Sequence, residues 1–451
     1  MKLFHFSFKT MLKTSAIASL IFLMNCKDDT NAPTTYWYAP QNGYILEEQK
    51  DRYTLYGTSA SGCVLIDNDV SPRNYSGIQL TKENGGLIAS SELLTGHIAF
   101  DELLTTEEFC DVDNPIMTND PVTNFNYFWN IFNDYYAFFE LRNVNWNEYR
   151  EPINSVNEDN LYDILEAMIL PLKDGHVSIS NESVNIRSDK ENLLQQINMH
   201  LDNDIKTREE LIEIATDRIS FINTRYLNDQ TDGDSNGNMV WGLLSADIGY
   251  VNIISMQDYA ASYDQEISVV DELMGRLTQA IQQHELQKLV IDLRFNTGGY
   301  DGVALEIASR FVSQSGPVFT KKSRLEDNFT HEQIIELSPN EGFQFNGDVV
   351  LLTSPLTASA AEVFTLCLKD LSNLTIVGQN TSGIFSDILT HRLPNGTFVN
   401  LSNQVYADPS GKVYEAIGIS PDKDHEIPFL SSDDFNNNVD SGIEWAMELL
   451  K

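Results

Sequence analysis

Hydrophobic positions along this 451-residue chain change their spacing more than once. From about residue 27 to 115, short runs such as Tyr53-Thr54-Leu55-Tyr56 and Cys63-Val64-Leu65-Ile66 are separated by Thr, Ser, Asn and Gly. That is the pattern of short strands joined by turns. From Val122 the period lengthens: Phe125, Phe128, Trp129, Phe132, Tyr135 and Tyr136, then Leu161, Ile164, Leu165 and Met168, recur at helical spacing. A polar stretch over 229–238 reads as a loop or boundary. Beyond it, apolar runs of strand length at 249–254, 288–293 and 348–352 alternate with a helical pattern around 269–282, and a terminal helix covers 441–450. Strands alternating with helices predict an α/β domain. The pattern thus divides the chain into a β-rich domain over 27–117, a helical subdomain over 118–238 and an α/β domain over 239–451.

The first 26 residues read as an export signal. Lys2, Lys9 and Lys13 precede an apolar stretch over 16–24, which at about nine residues is far short of the roughly 20 that span a bilayer. The stretch stops at Asn25-Cys26, followed at once by Lys27-Asp28-Asp29. Leu23-Met24-Asn25-Cys26 resembles a bacterial lipobox with Asn25 in the place of the usual small residue, and the charged triplet resembles the surface-export signal of Bacteroidetes lipoproteins. The expectation is a chain lipidated at Cys26 and held in the cell envelope, at the outer membrane, touching the membrane only through that lipid. A plain secretory signal with a coincidental cysteine is the alternative.

Charge narrows the partners. With 66 acidic against 29 basic residues the net charge is −37, a surface that repels phosphate backbones and excludes nucleic acid as a partner. The acids are spread along the chain, as on a solvated surface. Outside the cytoplasm Cys63 and Cys110 can pair and staple the first domain, or stand as two free thiols; both readings stay open. Cys367 reads as a small buried hydrophobe. Asp232-x-Asp234-x-Asn236-Gly237 matches half of an EF-hand loop, but Leu243 stands where the bidentate glutamate belongs, so a solvated loop is preferred and no metal is expected.

Two segments carry chemistry. An apolar strand runs into Asp292-Leu293-Arg294-Phe295-Asn296-Thr297-Gly298-Gly299, a tight turn whose glycines allow backbone amides a close approach. Asp292 and Asn296 are expected to fix that turn through side-chain hydrogen bonds. A second strand leads to Thr357-Ala358-Ser359-Ala360-Ala361-Glu362, a capping box with serine at the N-cap and glutamate at N3. Taken alone, Ser359 is a helix cap. The positive field of a helix N-terminus nevertheless also favours an alkoxide or oxyanion.

With Ile376-Val377-Gly378-Gln379-Asn380-Thr381-Ser382-Gly383 and Gly418-Ile419-Ser420-Pro421-Asp422, these motifs resemble, in order and spacing, the carboxy-terminal-processing or tail-specific serine peptidases, a family that includes the tricorn core and the interphotoreceptor retinoid-binding protein. The resemblance covers roughly residues 120–450. It implies a crotonase/ClpP-like α/β catalytic domain, a peptide or protein substrate and no cofactor. It makes Ser359 the nucleophile, and the amides of Ala360 and of the Gly298-Gly299 turn the oxyanion hole. The processing-peptidase branch has a lysine after its Thr-x-Gly motif, where this chain has Ile384 and Phe385. Leu172-Lys173-Asp174-Gly175-His176-Val177 instead resembles the tricorn-like branch, as do Trp129, Tyr135 and Trp146. That makes His176 the general base, a task suited to a side chain with a pKa of roughly 6.5. Glu415 matches a glutamate of that branch. Gly175 occupies the place of the tricorn core's relay serine, so the relay is broken or rebuilt: Glu415 either reaches the imidazole, directly or through water, or is an ordinary surface glutamate. The glycine-rich loop of a PDZ domain is not recognisable between His176 and Gly249. The reading is a lipid-anchored serine endopeptidase of open oligomeric state. Its rivals are a catalytically inactive ligand- or peptide-binding lipoprotein on the same fold, and a surface lipoprotein capturing glycans or nutrients.

Overall fold

A computed structural model describes residues 33–50, 52–70, 77–106 and 110–451; the export signal and Cys26 lie outside the described residues. The first unit is an antiparallel sheet of β1 (Thr34–Ala39), β2 (Tyr44–Gln49), β3 (Arg52–Ser59), β4 (Gly62–Asp67), β5 (Ile78–Glu83), β6 (Gly86–Ser91) and β7 (His97–Leu103), in the order β4-β3-β2-β1-β7-β6-β5. Side chains alternate across it. Trp37, Ala39, Leu46, Leu87 and Phe100 fill a core on one face, and Ile45, Tyr56, Cys63 and Cys110 fill one on the other. The choice left open by the sequence is settled here: Cys63 and Cys110 form a disulfide, with Cα atoms 5.1 Å apart.

Next come α1 (Pro121–Tyr135), α2 (Leu161–Ile169), β8 (Ser178–Ser180), β9 (Asn185–Arg187), α3 (Lys190–Asn198) and α4 (Arg208–Leu227). Helix α1 starts where its sequence dictates, with Pro121 in the first turn and the Asp120 carboxylate accepting the Thr123 N–H at 2.7 Å. Its aromatic stripe of Phe125, Phe128 and Phe132 is fully buried.

The rest of the chain builds β10 (Thr231–Gly233), β11 (Met239–Leu243), β12 (Ile248–Ile253), α5 (Glu266–Gln283), β13 (Lys288–Asp292), α6 (Asp301–Ala308), β14 (Gly316–Leu325), β15 (Asn328–Phe329), β16 (Gln333–Leu337), β17 (Asp348–Thr353), α7 (Ala360–Leu368), β18 (Leu374–Gly378), β19 (Ile388–Arg392), β20 (Phe398–Ser402), β21 (Gln404–Ala407), α8 (Ser432–Asn437) and α9 (Ser441–Leu449). Its main sheet runs β10-β11-β12-β13-β17-β18, and the four strands from β12 to β18 are parallel. Leu289, Ile291, Val349 and Leu351 point to a core shared with Val270, Val303 and Phe364 of helices α5, α6 and α7. Val290, Val350, Leu352 and Val377 point to the opposite core, shared with Leu211 and Ile222 of α4 and Ile443 of α9. Both faces are covered, which is why these strands read as unbroken apolar runs. Their carboxyl ends carry the Asn296–Gly299 turn and Ser359, the edge where open α/β sheets place ligands.

The expected fold class holds: an α/β domain with helices before it and a β-rich N-terminal unit. Three local expectations are revised. The stretch 229–238 is not a free loop; β10 pairs with β11, Asp234 Oδ1 accepts the Met239 N–H at 2.7 Å, and Asp232 pairs with Arg276. The helical subdomain does not close at 238 either. Strand β20 pairs with β8 in the sheet β19-β20-β8-β9, and Leu389, Leu393, Val399 and Leu401 pack into the core around Phe125 and Phe128. Cys367 is half-buried rather than fully enclosed.

Candidate active site

The turn after β13 is locked by its own side chains. Asp292 accepts the Arg294 N–H at 3.0 Å and its Nε at 2.9 Å through one oxygen, and Arg294 Nη2 at 2.6 Å and the Tyr250 hydroxyl at 2.8 Å through the other. Arg294 Nη1 continues to Asp440 at 2.9 Å. Asn296 Oδ1 accepts the Gly298 N–H at 2.8 Å, while its amide nitrogen donates to Ile253 O at 3.0 Å. Asp292 and Asn296 are therefore structural in the way their sequence context predicts. Both glycines have positive φ, 104° at Gly298 and 146° at Gly299. A Cβ at 298 would stand 2.6 Å from Ser359 Cβ, and one at 299 would stand 2.4 Å from the Met256 carbonyl carbon. Only glycine lets the two turns close on each other. The Gly298 N–H is occupied by Asn296; among the described residues no protein acceptor takes the N–H of Gly299 or of Ala360.

Ser359 sits between β17 and α7 at φ 54° and ψ −124°, a backbone conformation that costs a non-glycine residue about 1–3 kcal/mol. The surroundings hold it there. Ser354 Oγ donates to Arg294 O at 2.6 Å, Thr357 Oγ1 to Leu293 O at 2.9 Å, and the Ala358 N–H to Asn296 O at 3.1 Å. Glu362 does more than the capping role read from the sequence. Fully buried, its carboxylate accepts from the Ser359 N–H (3.2 Å), Thr381 Oγ1 (2.5 Å), the Gly383 N–H (2.7 Å) and the Ile384 N–H (2.8 Å). Burial pushes its pKa up to about 7 against the pull of those four donors.

His176 approaches from the loop after α2. Its Nε2 lies 3.2 Å from Ser359 Oγ. Asp174, itself fully buried, accepts the His176 backbone N–H at 2.9 Å, the Ser402 hydroxyl at 3.1 Å and the Tyr136 hydroxyl at 3.0 Å. The His176 Nδ1 is buried and has no hydrogen-bond partner among the described residues. Burial lowers the imidazole pKa below its ordinary value; Asp174 opposes the shift and Arg187 adds to it.

The structure places Glu415 differently from the expectation. It is buried, but it accepts the Phe385 N–H at 2.6 Å and pairs with Arg142, without a hydrogen bond to the imidazole. Arg142 also donates to Lys173 O at 2.9 Å, tying Glu415 to the loop that carries His176. Burial and the neighbouring Asp174 push Glu415 up to about 8, with Arg142 opposing. The relay serine's place is also accounted for: a Cβ at Gly175 would stand 2.2 Å from Ile384 Cδ1. One isoleucine therefore fills the space beside Gly175 and also takes the place of the processing branch's lysine. Lys369 is engaged with Asp370 and Asp408, and Lys412 lies over the Tyr414 ring. Sequence reasoning missed Arg142, which lies in no motif, and gave no role to Asp174 inside the motif it quoted.

Fold and site define a class: an α/β protein with a serine at a strained strand-to-helix junction, within hydrogen-bond reach of a histidine from another subdomain. Residues 247–425 match the sequence model of Peptidase family S41. The chain is 30% identical over 162 residues to the Probable CtpA-like serine protease of Staphylococcus saprophyticus, covering 35% of this chain and 32% of that protein. It is 26% identical over 179 residues to the Carboxy-terminal-processing protease of Bartonella bacilliformis, covering 40% and 39%. The chain thus spans about a third of the length of the curated relatives it matches. The family model and these relatives together support S41. Among solved structures, a peptidase candidate from Parabacteroides merdae ATCC 43184 superposes with a TM-score of 0.58 at 24% identity, over 74% of this chain and 97% of that one. Mature CPAF complexed with lactacystin gives 0.50 at 13% identity, over 74% and 96%. These likenesses establish a shared fold. Ser359, Gly298, Gly299, Ala360 and Glu415 lie inside the matched segment; His176 and Arg142 lie outside it.

Proposed function

We propose that this protein is a serine endopeptidase of the tricorn-like branch, with Ser359 as nucleophile and His176 as general base. The observation that carries this reading is the 3.2 Å separation of His176 Nε2 and Ser359 Oγ at the head of α7. Ser359 Oγ attacks the peptide carbonyl carbon while Nε2 takes its proton. The carbonyl oxygen becomes an oxyanion, received by the amides of Ala360 and of the Gly298-Gly299 turn; Gly299 supplies the N–H there, since that of Gly298 is held by Asn296. The intermediate collapses as the imidazolium returns the proton to the leaving amine, and water then cleaves the acyl-enzyme by the same route. None of these steps uses a cofactor. Glu415 acts at one remove, holding the His176 loop through Arg142 and the 383–385 loop through the Phe385 N–H.

A serine-directed fluorophosphonate should label the soluble chain lacking residues 1–26, and Ser359→Ala should abolish labelling while circular dichroism stays unchanged. Loss of the cap costs only about 1 kcal/mol. Equal labelling of both proteins would move the chemistry off Ser359. No labelling of either would favour the inactive binding protein, a reading that the retained serine and histidine do not favour. Export and lipidation at Cys26 complete the proposal. They are supported by the charged and apolar run before that cysteine, and by a Cys63–Cys110 disulfide of the kind that persists in oxidising compartments. Cys26→Ser should shift the protein from the membrane fraction to the soluble one; identical fractionation of mutant and wild type would remove the anchor.

A further inference from the structure

One strand edge stands open where the N-terminal sheet meets α6. Strand β14 pairs through Thr320 and Lys321 with β16 on one side and with β21 on the other, so the outer edge of β16 is free. Among the described residues no other backbone pairs with β16. Every second residue of such a strand turns its N–H and C=O outward. Only the first residue is engaged: the Gln333 side chain accepts the His97 N–H at 2.9 Å and donates to His97 O at 3.0 Å, fixing β16 to the start of β7. From there the edge borders a groove of about 580 Å³, walled by α6 and by the 91–96 loop. The Gly302 N–H ties those two walls together through Leu93 O at 2.9 Å. That volume lies within the range of ordinary ligand sites. Apolar side chains stand open in it: Ile334 is 65% exposed and Leu94 48%. The charge around them has one sign, since Glu92, Glu306 and Glu336 line the groove and no lysine or arginine does. Glu306 is paired with Arg310, but the exposed Glu92 and Glu336 have no ion-pair or hydrogen-bond partner among the described residues.

We propose that this groove binds a basic, extended segment of another polypeptide, added as a strand to the edge of β16. Backbone hydrogen bonds to β16 hold the segment, and alternate side chains read the groove. Its apolar side chains cover Ile334 and Leu94, and its lysines or arginines meet Glu92 and Glu336. Charge decides against a second copy as the occupant. Edge-to-edge pairing would bring together two chains of net charge −37, each with its own unpaired Glu336, whereas a cationic strand neutralises the same carboxylates. None of the residues lining the groove belongs to the set around Ser359 and His176, so the proposal stands apart from the peptidase reading.

Binding is measured by fluorescence polarisation on the chain lacking residues 1–26 and carrying Ser359→Ala, so that peptide is not consumed. The probes are three short rhodamine-labelled peptides: alternating Lys-Val, alternating Glu-Val, and the Lys-Val peptide with every internal amide N-methylated. The plain Lys-Val peptide should bind roughly tenfold or more tightly than either of the others, because one lacks the charge and the other the N–H donors. Adding Glu92→Lys together with Glu336→Lys should remove that advantage over the Glu-Val peptide, and Ile334→Lys should weaken Lys-Val binding by itself. All three positions are exposed, so the fold tolerates the changes. Undetectable binding of all three peptides, equal binding of the Lys-Val and Glu-Val peptides, or a preference that survives the two glutamate changes overturns the proposal. Equal binding of the N-methylated peptide also overturns it, by showing attraction without strand pairing. Sedimentation supplies the remaining outcome: a dimer that Ile334→Lys dissolves would give the edge to a second copy and remove the basic peptide as its occupant.

Discussion

At the residue scale, burial suits His176 to the general-base role proposed for it. A general base must be neutral to accept a proton, and enclosure favours the neutral ring. Activity should therefore be present at neutral pH and lost as pH falls through an apparent pKa below the ordinary value of roughly 6.5. The pH dependence of kcat/KM measures this. A limb near 7 that disappears in Glu362→Gln would instead assign it to Glu362, whose pKa is about 7. His176→Ala should lower acylation by roughly 10⁴-fold, as loss of a triad member does. The meeting of Ser359, His176 and the Asn296 turn was legible in the sequence because each lies in a motif of a few neighbouring residues. Arg142 was not. Its role comes from Glu415, 273 positions away, and its own neighbourhood is an ordinary turn.

At the element scale, the loop carrying Gly175 and the loop carrying Ile384 are fitted to each other. Gly175→Ser should push the Ile384 side chain aside, at a cost of about 1 kcal/mol, the low end for overpacking because the blocking atom ends a flexible chain. Because the Ile384 N–H donates to Glu362, fluorophosphonate labelling should slow as well. Ile384→Ala added to Gly175→Ser should recover both the denaturation midpoint and the labelling rate. A single mutant indistinguishable from wild type, or a double mutant worse than the sum of the two, would refute this fit. The strands of the parallel sheet were legible as apolar runs, since both of their faces are covered. Strand β10 was hidden because a polar edge strand pairs through backbone alone, leaving no apolar signature in Thr231, Asp232 and Gly233. The β8–β20 pairing joins residues 218 to 222 positions apart, beyond the reach of any local pattern.

At the scale of the whole molecule, the N-terminal sheet is tied to the hairpin β19–β20 through His391. That fully buried ring lies 3.0 Å from Asn42 O through Nε2 and stacks on Tyr135 with centroids 5.3 Å apart. Burial lowers its pKa to about 4, so the unfolded chain binds a proton near 6.5 while the folded one resists until about 4. Stability is thus fully present above roughly pH 6.5 and falls as the pH drops toward 4, by about 3 kcal/mol. Urea unfolding across that range should show a shallower acid decline for His391→Gln than for wild type; parallel curves would exclude the ring as the source. The same hairpin has a consequence for how the protein is made. A ribosome delivers His176 long before Ser359, 183 residues later, and before the strand that flanks β8. Residues 388–415, which supply β20 and Glu415, must also emerge before the histidine loop gains its pairing partner and its tie through Arg142. A nascent chain therefore carries both reacting groups in unassembled form through most of its synthesis. In the proposed mechanism, hydrolytic competence arrives as a late event of folding, when little of the chain is left exposed to Ser359.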